Sequence, residues 1–120
     1  MHEFSIVSSL LDLVEADVRK HNARSATRVV VRIGEMSGVV AELLAEAFHV
    51  CKRGTLAEQA ELVIEKQEVL ICCRCGYQGP ITNRRFICPV CGVADVDVTA
   101  GEEMILQQLE LEVGVTNPLP

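Results

Sequence analysis

The sequence predicts an α+β fold: a small three-stranded sheet carrying two helices, with a cysteine-rich lobe inserted ahead of the last strand. Three observations predict it. Two stretches repeat apolar residues at helical spacing, three are β-branched or alternating, and four of the six cysteines form two C-x2-C pairs between the second strand and the third. A chain of 120 residues, 49% of them hydrophobic, supports one modest core with a small satellite but not two full domains.

The first element is an amphipathic helix over residues 4–20. Val7, Leu10, Leu11, Val14 and Val18 share one stripe, while Asp12, Glu15, Arg19 and Lys20 lie largely off it. "TRVVVRIG" then sets Val29, Val31 and Ile33 against Arg28, Val30 and Arg32, a strand with one buried face that ends at Gly34. A second helix is predicted over 40–53, because Leu44, Ala47, Phe48 and Cys51 recur at i, i+3, i+4 and i+7 and Gly54 supplies a stop. On that stripe Cys51 reads as a buried thiol, since free cysteine packs as a small hydrophobe. His21 and His49 are isolated histidines without a partner motif.

"ELVIEKQEVLI" returns to a strand pattern and leads into the Cys-, Gly- and Pro-rich stretch. Beyond it "EEMILQQLELEV" alternates Leu109, Leu111 and Val113 with Gln108, Glu110 and Glu112 near its end, a last strand with one solvated face. The organisation expected is an α/β unit over 1–68 plus 95–113, an inserted zinc-ribbon lobe over 69–94 and a flexible tail over 114–120.

Charge narrows the partners. Eleven basic residues against 17 acidic ones give a net charge of −6, which repels phosphate backbones unless positive charge is gathered locally. Nucleic acid is therefore not the expected partner. No apolar run approaches the roughly 20 residues needed to span a bilayer, and the start lacks the basic-then-apolar order of an export signal. A cytoplasmic protein without a membrane partner is expected, and in that compartment the cysteines point to metal rather than to disulfides.

Cys72 and Cys75 make the first pair and Cys88 and Cys91 the second, with 12 residues between Cys75 and Cys88. Two residues between ligands let a tight turn present both sulfurs to one ion, and two such turns complete a tetrahedral thiolate site. Gly76 and Gly92, each directly after the second cysteine, suit the positive φ of such turns. With all four positions filled by thiolates no site remains for water, so the predicted zinc is structural and the lobe folds only around it. Cys73 reads as a bystander, because only Cys72 gives the two-residue spacing to Cys75. Arg74, Arg84 and Arg85, with no acidic residue between Val69 and Ala94, keep a nucleic-acid or protein adaptor open as a rival reading. Four thiolates around a divalent ion add about −2 and offset most of that charge.

The start, "MHEFS", offers a second metal chemistry. The α-amine of Met1, the backbone nitrogen of His2 and the imidazole Nδ1 of His2 can close two fused chelate rings, and Glu3 can add its backbone nitrogen or its carboxylate. Such nitrogen-rich tetragonal sets suit Ni(II) or Cu(II) better than zinc. Initiator removal requires a small second residue, which histidine is not, so Met1 is expected to stay. Composition alone leaves both a frayed end and a chelate open.

"MHE" before an amphipathic helix, then "VVVRIGEMSGV", "LAEAFHVCKRGT", the two C-x2-C pairs and a closing "LELEV", in this order, resembles the HypA/HybF family of hydrogenase nickel-incorporation proteins over Met1 to about Val113. The resemblance implies a metallochaperone, not an enzyme, that binds nickel at its N-terminus and delivers it during hydrogenase maturation. The implied partners are a hydrogenase-maturation GTPase and the NiFe-hydrogenase large subunit, with a homodimer left open. Carried over by position, His2 is the principal nickel ligand, Glu3 supports nickel transfer or docking, and Cys72, Cys75, Cys88 and Cys91 hold structural Zn(II). One departure stands out: the insertion has no histidine, so no further imidazole is assigned.

Overall fold

The computed structural model describes residues 2–113, so Met1 with its α-amine and the expected tail over 114–120 lie outside the described residues. Its elements are α1 (His2–Lys20), β1 (Ser25–Gly34), α2 (Ala41–Cys51), β2 (Glu61–Gln67), β3 (Leu70–Cys72), β4 (Gln78–Pro80), β5 (Asp97–Ala100) and β6 (Met104–Glu112). They form two three-stranded sheets, one ordered β2-β1-β6 and the other β4-β3-β5.

Helix α1 starts at His2, earlier than its apolar stripe requires. Glu3 in the first turn and Arg19 and Lys20 in the last complement the helix dipole. The stripe of Val7, Leu10, Leu11, Val14 and Val18 is buried against Val29, Val31 and Ile33 of β1 and against Leu44, Ala47 and Phe48 of α2. Both helices thus cover one face of the first sheet. Cys51 packs at the margin of this core and is only half-buried.

The other face of that sheet is a ladder of exposed ion pairs. Arg28 reaches Glu61 at 3.3 Å and Glu110 at 3.8 Å, and Arg32 reaches Glu65 at 3.8 Å. Strand β1 runs parallel to β2, with α2 as the crossover, and antiparallel to β6. Two bulges interrupt the second pairing. Thr27 on β1 and Gln107 on β6 have no opposite number, so core-facing parity changes along both strands. Ala26 and Val29 therefore both face the core on β1, and Leu106 and Leu109 both do on β6.

"ELVIEKQEVLI" is two strands, because the chain leaves the first sheet after Gln67 and enters the second at Leu70. The second sheet also extends past the expected boundary at 94, since β5 pairs with β3 through Leu70–Ala100, Ile71–Val98 and Cys72–Asp97. The inserted lobe thus returns to the α/β unit only at the bend over 101–103. Val69 and Ile71, each 1% exposed, with Cys73 and Cys88, make its small interior.

The two crossings between lobes are held on the end of β1 by backbone bonds. The Gly34 N–H donates to Glu103 O, Glu35 N–H to Gln67 O and Met36 N–H to Gly101 O, at 2.8 to 3.1 Å. Approach here is close enough to require glycine. A Cβ on Gly34 would collide with the Gly101 carbonyl, and one on Gly101, whose φ is +102°, would lie 2.7 Å from Val69 Cα.

Candidate metal sites

The inserted lobe brings four sulfurs together, those of Cys73, Cys75, Cys88 and Cys91, all within 4.8 Å of one another. Cys73 Sγ lies 3.6 Å from Cys91 Sγ, and Cys75 Sγ lies 3.7 Å from Cys88 Sγ. A tetrahedral ion with bonds of ~2.3 Å to sulfur requires sulfurs ~3.8 Å apart, so the spacing fits a thiolate-bound metal. It is far too long for a disulfide, whose sulfurs sit ~2.05 Å apart.

Three of the cysteines expected as ligands are in this set. The fourth position is exchanged: Cys73 occupies it and Cys72 does not. The reason is strand parity. Ile71 in β3 and Cys73 directly after it are buried, and the alternation of an extended chain turns the side chain of Cys72, whose backbone pairs with Gln78 and Asp97, to the opposite face. Spacing identifies the motif but not the register of the hairpin, and two adjacent cysteines leave that register open in sequence.

The two turns differ by one residue. In the second, Cys88 N–H donates to Val93 O and Gly92 N–H returns to Cys88 O, enclosing four residues. Val90 N–H and Cys91 N–H both point at Cys88 Sγ, each at 3.4 Å. In the first, Cys73 N–H donates to Tyr77 O and Gly76 N–H returns to Cys73 O, enclosing three. Gly76 and Gly92 take the expected positive φ, +100° and +78°.

These contacts polarise the cluster. Burial opposes ionisation of Cys88, but the N–H groups of Cys91 and Val90 and the adjacent sulfurs outweigh it and hold its thiol down at about 6. Cys75 goes the other way. A backbone bond at Tyr77 favours its thiolate, yet desolvation and the thiols of Cys88, Cys73 and Cys91 push it up to about 12. Cys91 is also raised, its backbone bond at Val93 being outweighed by Cys73 and by burial. One ready thiolate among protonated neighbours is a site from which an arriving ion must displace protons.

At the end of the α/β unit that carries the lobe crossings, beside the start of β6, His2 is exposed on the first turn of α1 and lines an apolar groove of about 340 Å³ with Leu10, Leu13, Met104 and Leu106. Glu3 is half-buried and points elsewhere. Its Oε2 accepts a hydrogen bond from Val40 N–H at 3.3 Å. Val40 is the N-cap of α2 and has no side-chain cap of its own, so Glu3 supplies from another helix what the local sequence lacks. Nothing in the residue pattern of α2 signals this; it depends on the two helices lying side by side in the same direction, which brings their N-terminal ends together.

The comparisons with known proteins agree with this architecture. The family described as hydrogenase/urease nickel incorporation, metallochaperone, HypA, matches residues 1–111. The hydrogenase maturation factor HypA of Aquifex aeolicus is 47% identical over 94% of this chain and 99% of the relative, and that of Wolinella succinogenes is 41% identical over 93% and 96%. The solution structure of the nickel metallochaperone HypA from Helicobacter pylori superposes with a TM-score of 0.71 at 33% identity, covering 93% of this chain and 98% of that one. Matched along nearly its whole length by both sequence and fold, the chain belongs to the HypA family of nickel metallochaperones for hydrogenase maturation, whose members are carriers and not enzymes.

Proposed function

We propose that the protein binds Ni(II) at its amino terminus and delivers it to the large subunit of a NiFe-hydrogenase in the cytoplasm, with a maturation GTPase as the partner that gates transfer. The α-amine of Met1, the backbone nitrogen of His2 and His2 Nδ1 form the chelate, and the backbone nitrogen of Glu3 adds a further donor to a nitrogen-rich set suited to nickel. The observation that carries this reading is the position of His2. It opens a helix, where the first N–H groups have no intrahelical acceptor, so the amide nitrogens that nickel must deprotonate are free to bind it. His2 is also exposed, so a partner can reach the ion and remove it by stepwise ligand exchange.

In this reading Glu3 serves with its backbone, and its carboxylate ties the terminus to α2. The cluster at Cys75, Cys88 and Cys91, completed by a cysteine of the 72–73 pair, holds structural Zn(II) and orders the inserted lobe. The adaptor reading is weaker. Arg84 faces Glu35 and Arg74 faces Asp95, each at 4.0 Å, which reduces the positive charge free to meet a phosphate backbone.

The test is a nickel titration of the wild type, His2→Ala and a variant with one residue added before Met1. Nickel binding is expected to be lost or strongly weakened in both variants while bound zinc is unchanged. Equal, tight binding of one nickel by all three chains would rule out the terminal site.

A further inference from the structure

We infer that Cys72 and Cys73 are alternative fourth ligands of the metal in the inserted lobe, exchanged by a one-residue shift of the hairpin that carries them. The inference rests on the reading of the sulfur cluster as a tetrahedral metal site. Cys75, Cys88 and Cys91 are common to both arrangements, and the chain places two thiols in succession where a third turn residue and one thiol would suffice.

The second turn shows the geometry that the first can adopt. Around Cys88 a four-residue loop closes through Cys88 N–H to Val93 O and Gly92 N–H to Cys88 O, and two further N–H groups stabilise the sulfur. Transferring the first turn's two backbone bonds from Cys73 to Cys72 encloses Cys73, Arg74, Cys75 and Gly76, a loop of the same length ending in the same Cys-Gly pair. The N–H groups of Arg74 and Cys75 then stand toward Cys72 Sγ as those of Val90 and Cys91 stand toward Cys88 Sγ. Cys72 thereby gains two N–H bonds to its sulfur, whereas in the three-residue loop the Gly76 N–H, three residues after Cys73, is spent on the Cys73 carbonyl.

The strands can accommodate the shift. β4 is an edge strand of three residues, joined to the sheet only through β3, and it ends in Gly79-Pro80, of which the proline has no N–H to lose. A bulge at Ile71–Cys72 would turn Cys72 toward the sulfurs while leaving Ile71 buried, and β3 already bears an irregularity between Leu70 and Ile71 in its pairing with β5. The exchange itself is a ligand substitution without redox change. Cys72 loses its thiol proton and forms a metal–sulfur bond, the Cys73–metal bond breaks, and Cys73 takes up a proton, so the charge and coordination number of the ion are conserved. An incoming thiol held one residue from the leaving one makes the site exchangeable without loss of the ion.

Cobalt(II) is the probe, because its ligand-field and sulfur-to-metal charge-transfer bands report the number of thiolates. The full chain is loaded as wild type, Cys72→Ser, Cys73→Ser and the double variant. Both single variants are expected to bind one cobalt with the wild-type four-sulfur spectrum. The double variant is expected to lose about one quarter of its charge-transfer intensity per cobalt, one thiolate in four. A three-sulfur spectrum in either single variant would show that one cysteine alone is the ligand and overturn the exchange, as would an unchanged spectrum in the double variant. Wild-type protein that gives no four-sulfur spectrum would instead overturn the metal reading beneath it. Far-ultraviolet circular dichroism of the zinc-loaded forms checks that each variant is folded.

Discussion

The carboxylate of Glu3 caps the helix that begins at Val40, joining the first turn of α1 to the first turn of α2 across 37 positions of sequence. Two roles are thereby separated in one residue: its backbone nitrogen faces the proposed nickel site, and its side chain fixes where that site points. Loss of an N-cap acceptor costs about 0.5–2 kcal/mol. Glu3→Ala is therefore expected to lower the unfolding midpoint of the α/β unit by several degrees, whereas Glu3→Gln, which keeps an acceptor oxygen, lowers it less. Both variants should still bind nickel. Calorimetric unfolding and nickel titration check the pair, and loss of nickel from Glu3→Gln without loss of stability would make the carboxylate a ligand instead.

Metal binding in the inserted lobe should be coupled to protons unevenly across pH. Cys88, held at about 6, is already a thiolate at neutral pH and releases no proton on binding, whereas Cys75, pushed up to about 12, must release one. As pH falls below about 6, Cys88 is protonated and one more proton has to leave per ion, so affinity should decline more steeply there. Zinc affinity measured by chelator competition from about pH 5 to 8 is expected to bend near 6. A single slope over that range would contradict the separation of Cys88 from its neighbours.

The joint between the lobes depends on two glycines meeting without side chains. Gly34→Ala places a methyl group against the Gly101 carbonyl, where the neighbour is backbone and cannot swing aside. Relief requires the crossing at 101–103 to move away from β1, breaking the bonds from Gly34 to Glu103 and from Met36 to Gly101. The expected cost is about 1–3 kcal/mol, as for overpacking elsewhere. Amide hydrogen exchange should localise it, with protection lost at Gly34 and Met36 and retained in α1. Unaltered exchange at both amides would show that the joint is looser than its contacts indicate.

The elements that bury an apolar stripe are legible in the sequence. Val7 to Val18 and Leu44 to Phe48 announce helices because their spacing is set by the core they cover, and Val29, Val31 and Ile33 announce a strand for the same reason. The cysteine lobe is legible through ligand spacing, since metal-binding chemistry constrains sequence as strongly as packing does. What stays hidden depends on pairing between distant segments. The break of the second apolar run at Gln67 follows from a change of sheet, the place of Cys73 instead of Cys72 beside the other three sulfurs from hairpin register, and the cap that Glu3 gives α2 from a contact no local pattern encodes.

Strand β6 shows the same limit and gives a test of it. Leu109 and Leu111 alternate visibly, but Met104 and Leu106 have the opposite parity, and only the bulge at Gln107 reconciles the two halves on one face. Gln107 is exposed and has no partner residue on β1. Its deletion leaves Met104, Leu106, Leu109 and Leu111 in strict alternation, with Val30 and Val31 facing consecutive residues of β6. A shortened chain is therefore expected to fold, losing no more than about 1 kcal/mol, in contrast to the inversion that a one-residue slip imposes on a regular strand. Deleting Gln108 instead gives the same eight-residue sequence, so the informative control is deletion of Glu110, which turns Leu111 away from the core and should cost several times more. Chemical denaturation of the two variants decides the matter: comparable losses would show that the bulge, rather than the continuity of the apolar face, is what the strand requires.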